Sequence, residues 1–128
     1  MTIREAAGMV FAIVAAGVVA FQFALALGVP WGSYAMGGAF PGRFPPPMRV
    51  AAVLQAVVIA LVAVVVLSAA GLVLPDVVAS LPWLVWIPVV FAALAVVLNS
   101  ISRSAGERRI WVPVTIVLLI SALVVAVS

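Results

Sequence analysis

Four apolar runs constrain this chain more than any other feature. They are Ala6 to Gly28, Arg49 to Leu74, Leu81 to Ser100 and Ile110 to Val127. As a helix, the first would extend roughly 34 Å, enough to cross a hydrocarbon layer of about 30 Å. The 128-residue chain is 69% hydrophobic and 7% charged, where a soluble domain carries about 25% charged residues. A soluble fold of this size cannot hide so much apolar surface, so the expected solvent is lipid. The runs are continuous and rich in Ala, Val and Leu, without the ten-residue alternation of β-barrel spans. The expectation is an all-α, four-transmembrane-helix bundle: two helical hairpins in one membrane domain over residues 1–128, with connecting loops 29–48 and 101–109.

The first run ends in Ala24-Leu25-Ala26, which imitates a signal-peptidase site. Its apolar part exceeds the roughly 7–15 residues of a signal h-region, so a retained span is expected. Pro88, in the first third of the third run, is a candidate kink.

Orientation follows from arginine, which supplies all six basic residues. The loops after the first and third runs hold Arg43, Arg49, Arg103, Arg108 and Arg109; the opposite side has Arg4, offset by Glu5, and Asp76. The positive-inside rule then puts both loops in the cytoplasm and both termini on the non-cytoplasmic side. Trp31 and Trp111 at one level and Trp83 and Trp86 at the other fit interfacial belts. The net charge of +3 is thus read as topological, and no nucleic-acid partner is expected.

The missing residue types exclude chemistry. With no cysteine and no histidine, disulfides, thiolate catalysis and the common transition-metal ligand sets drop out, so no metal or cofactor is expected. The few acids, Glu5, Asp76 and Glu107, lie outside the apolar runs and are scattered over both sides. General acid–base catalysis and ion-coupled transport are therefore not expected.

Three polar patterns remain. Gln22, Gln55 and Asn99 fall at the cytoplasmic ends of the first three spans, where they either line a polar vestibule or bond their own helices. The interval Trp31 to Arg49, WGSYAMGGAFPGRFPPPMR, offers Gly37 and Gly38 backbone N–H groups for an anion-binding nest. Together with Arg43, Arg49 and Arg103 these could hold a lipid head group. The plainer reading is a turn-rich connector, with Pro41-Gly42 as a turn and Pro45-Pro46-Pro47 as a stiff extended lead. In ISRSAGERR, Arg103 and Glu107 are spaced to pair, and Ser102 or Ser104 could cap the last helix.

Gly8, Ala12, Ala16, Ala20, Ala24 and Gly28 recur every four residues in the first span. Small residues on one face let another helix backbone approach closely, so they form a candidate packing seam.

The pattern P-W-G…M-G-G…P-G…P-P…R from Pro30 to Arg49, then N-S-x-S-R-S-x-x-E-R from Asn99 to Arg108 and W-x-P from Trp111 to Pro113, resembles a family of small bacterial four-helix integral membrane proteins of unknown function. The resemblance implies a bacterial inner-membrane, multi-pass protein and carries over no functional residues. The leading functional expectation is a non-enzymatic membrane protein acting through helix–helix contacts, as an accessory or assembly subunit or as a homo-oligomer in the lipid bilayer. The alternative is a small channel or transporter with a cytoplasmic-side polar vestibule.

Overall fold

Thr2 sets the start of the first helix. Its hydroxyl accepts from the Glu5 N–H at 3.1 Å, and the Glu5 carboxylate accepts from the Thr2 N–H at 3.2 Å, a capping box that satisfies two donors left free at a helix N-terminus. The computed structural model describes Met1–Ser128 and contains helices and turns without strands. The helices are α1 (Ile3–Ala26), α2 (Pro46–Ala69), α3 (Pro75–Ser80), α4 (Trp86–Ser100) and α5 (Ala105–Val127), with a 3-10 turn at Pro82–Val85 leading into α4. Four helical segments, Ile3–Ala26, Pro46–Ala69, Pro82–Ser100 and Ala105–Val127, are long and apolar enough to cross a membrane.

Helix starts differ from the apolar boundaries because capping chemistry decides them. Pro45 alone is extended, with φ −65° and ψ 158°, and Pro46 and Pro47 are the first residues of α2. Proline suits a first turn, where its missing N–H has no partner anyway, so the expected three-proline lead shrinks to one residue. Ser104 caps α5 by accepting from the Glu107 N–H at 3.1 Å. The expected connection 101–109 thereby shortens to Ile101–Ser104. Pro88 falls in the first turn of α4, where it removes no helical hydrogen bond. Between α2 and α4, the buried Ser68 hydroxyl donates to Leu74 O at 2.7 Å and accepts from the Val78 N–H at 3.1 Å. That pair of hydrogen bonds ties down α3, which apolar patterning did not reveal.

In packing, α1 lies between α2 and α5, α4 lies against α5, and α2 and α4 approach one another only weakly. The half of the bundle nearest the chain termini is filled by Phe11, Ala15, Val66, Ala92, Leu118 and Val125 with their neighbours. A second small core of Leu25, Ala35, Phe44 and Ala52 seals the loop after α1 onto the starts of α1's last turns and α2.

The small-residue stripe on α1 is not the packing face within the chain. Buried residues run through Gly8, Phe11, Ala15 and Leu25, whereas Ala16 and Ala20 are exposed and Ala12 and Ala24 are half-buried. A strict four-residue spacing drifts around a helix of 3.6 residues per turn, so the middle of the stripe, at Ala16 and Ala20, turns outward. A methyl on Gly8 would lie 2.7 Å from the Ala70 Cβ, and Gly28 sits against the Arg49 guanidinium.

Candidate functional site

The weak contact between α2 and α4 leaves a cavity of about 700 Å³ at the loop end of the bundle. All four long helices line it, and the turns around Tyr34–Gly37 and Phe44 cover it. Its floor is the apolar core at Phe11, Ile59 and Leu118. On the α2–α4 side it is open, because the lining residues Ala51, Gln55, Leu94 and Leu98 are also exposed on the bundle surface.

Gln22, Gln55 and Asn99 all line this cavity. They do not bond to one another. The Asn99 amide donates to Ala95 O one turn back at 2.7 Å, while the side chains of Gln22 and Gln55 take no partner from the protein. The three amides thus share one cavity wall, and Asn99 also bonds its own helix.

Glu107 is the residue that sequence reasoning misplaced. It stands in the first turn of α5, is only 9% exposed, and lines the cavity. Its Oε2 accepts from the Gly37 N–H at 2.8 Å and from the Ser102 hydroxyl at 2.8 Å. Arg103, the expected partner, is exposed and is not among these donors. The available signal was Ser104-x-x-Glu107, a capping-box spacing. Only its serine half is used here, which frees the carboxylate to reach a loop 70 positions away.

The expected head-group site at Gly37, Gly38, Arg43, Arg49 and Arg103 is not assembled. Gly37, with φ 67°, does turn its N–H toward an anion, but the anion is Glu107. Gly38 donates to Ala35 O. The Arg49 Nε donates to Phe44 O at 2.8 Å, holding the loop to α2. Arg43 and Arg103 are exposed and belong to separate segments.

Aromatic residues complete the wall. Trp111 donates its indole N–H to Tyr34 O at 2.8 Å and meets Phe21 edge-on at 4.7 Å, and Phe21 in turn stacks on Trp31. Trp31, Trp83 and Trp86 are exposed near the two ends of the bundle, whereas Trp111 is a cavity residue. The arrangement is an apolar chamber with a polar, aromatic upper end and a side opening, a shape that suits an amphipathic guest. No protein-family model, curated protein or solved structure matches this chain.

Proposed function

We propose that this protein is an integral membrane binder or carrier of an amphipathic molecule, which enters its cavity sideways between α2 and α4. The observation that carries this reading is the cavity, mostly apolar at depth, with its amides and its carboxylate toward the loop end. It develops the vestibule alternative of the sequence. A continuous pore through one chain is disfavoured, because the termini half is packed with side chains. The helix-contact reading rests on the exposed small face at Ala16, Gly17 and Ala20, which lipid alone can cover.

The test uses Trp111 as an internal reporter, with Trp31, Trp83 and Trp86 replaced by Phe. A bromine-labelled decyl maltoside is expected to quench Trp111 saturably in lipid nanodiscs. Ala95→Phe, which fills part of the chamber, is expected to weaken the saturable component about tenfold, equivalent to roughly 1.4 kcal/mol. Quenching that never saturates, or that ignores the Ala95 substitution, rejects the binding role.

The arginine distribution supports a multi-pass inner-membrane orientation with both termini outside and the cavity end in the cytoplasm. A phosphatase or fluorescent reporter fused to Ser128 is expected to report the non-cytoplasmic side. Cytoplasmic activity of that fusion would reverse the orientation.

A further inference from the structure

We infer that the guest carries a primary ammonium head, and that the Glu107 carboxylate is its charge partner. This rests on the binding role proposed above and names the ligand class. Glu107 is the sole charged residue among those lining the cavity; none of the six arginines contributes. Both hydrogen bonds it receives fall on Oε2. Its Oε1 takes none from the protein, and no buried side-chain polar atom is left without a partner. Oε1 is therefore accessible, and Glu107 is a lining residue of the cavity.

A carboxylate beside an apolar chamber favours a positively charged guest over a neutral or anionic one, because the desolvated charge gains a partner. A primary ammonium has three N–H donors. One matches the free Oε1, and Gln22 and Gln55 line the same cavity with side-chain amides that take no partner from the protein. Tyr34 and Trp111 place aromatic rings in the same end of the wall, where a cation is further stabilised. Arg108 donates to the carbonyl of Ser102, but it is exposed and does not line the chamber, and the repulsion of exposed charges is screened over about 10 Å at ordinary salt. The guest's tail occupies the apolar depth toward Ile59 and Leu118.

Two sources offer this chemistry, an aminophospholipid head group and a free alkylamine, and the experiment separates them. Decylammonium, decanol and decyl sulfate compete, below micelle formation, against the bromine-labelled maltoside on Trp111. Decylammonium is expected to compete about tenfold better than decanol, the scale of one charge-assisted hydrogen bond, and decyl sulfate worst. Glu107→Gln keeps an acceptor for Gly37 and Ser102 but removes the charge, so the preference for decylammonium over decanol is expected to vanish. In a second arm, nanodiscs containing phosphatidylethanolamine are compared with discs of phosphatidylglycerol. Weakened probe binding in the first alone identifies the lipid, and competition by decylammonium without that difference identifies a free amine. Equal competition by decylammonium and decanol in the unsubstituted protein overturns the inference while leaving the binding role intact. Failure of the maltoside probe itself overturns the binding role. The competitor order in the unsubstituted protein decides the matter even if Glu107→Gln does not fold.

Discussion

Replacing Gly32 by alanine is expected to detach the loop between α1 and α2 from the bundle. A Cβ at this position would lie 1.8 Å from Phe40 O and 2.7 Å from Gly42 O. Both obstacles are backbone atoms, so no side-chain rotation relieves the clash, and the loop has to open. Opening breaks the Gly32 N–H bond to Gly42 O at 2.8 Å and exposes Phe44, which is buried against Leu25 and Ala52. The expected loss is about 3 kcal/mol or more, at the upper end of what overpacking costs. Thermal unfolding in detergent and the rate of tryptic cleavage after Arg43 read the effect. Unchanged melting with unchanged cleavage means that the loop does not cap the bundle as described.

The second large effect is expected at Glu107. Glu107→Ala leaves the Gly37 N–H and the Ser102 hydroxyl without their shared acceptor. An unpaired buried donor and the lost bonds to a charged group together cost about 3 kcal/mol. The cost falls on one contact between the loop and α5, so local opening is the sensitive observable. Amide hydrogen exchange across residues 31–44 is expected to accelerate by about a hundredfold, the equivalent of roughly 3 kcal/mol of local stability. Glu107→Gln retains an acceptor and is expected to preserve most of the protection. If alanine leaves exchange in 31–44 unchanged, Glu107 does not hold the loop, and Arg49 with Phe44 holds it instead. The pair of variants thus separates the carboxylate as a fastening from the carboxylate as a charge facing the cavity.

The two substitutions act on one mechanical arrangement. The loop is fastened at Gly32–Gly42 within itself, at Phe44 and Arg49 to α2, and at Gly37 and Tyr34 to α5. Met36 takes φ 52° between these points, a left-handed conformation that is costly for a side chain. It is followed by Gly37, whose N–H is thereby aimed at Glu107. Backbone strain here is retained by contacts on both sides, and it lies on the wall of the cavity.

Gln22, Gln55 and Asn99 were legible as a group, because residue position along a spanning helix translates directly into depth at 1.5 Å per residue. Their sharing of one chamber follows from that common depth and from the bundle. Glu107 was not legible as a cavity residue. It lies outside the apolar run that marks the span, and its neighbours in sequence, Arg103, Arg108 and Arg109, suggest a solvated loop. Its burial is created by Gly37 and Ser102 folding over it. The anion site read into Gly37 and Gly38 is not assembled: the Gly37 N–H meets the chain's own Glu107 carboxylate, and the Gly38 N–H is taken by Ala35 O.

Local rules act within about one helical turn, and they are what the amino-acid order settles: four apolar stretches long enough to span, a serine before the last of them that can cap it, and a shared depth for the amides. Which helix faces meet depends on contacts between segments far apart in the chain. The stripe from Gly8 to Gly28 illustrates the difference, because its spacing is visible in the sequence while Phe11, Ala15 and Leu25 make the actual packing face. The separation of α2 from α4, the cavity it leaves and the carboxylate within it exist only once α1 has been gripped from both sides by α2 and α5. Packing is a property of matched surfaces, and neither surface alone carries it.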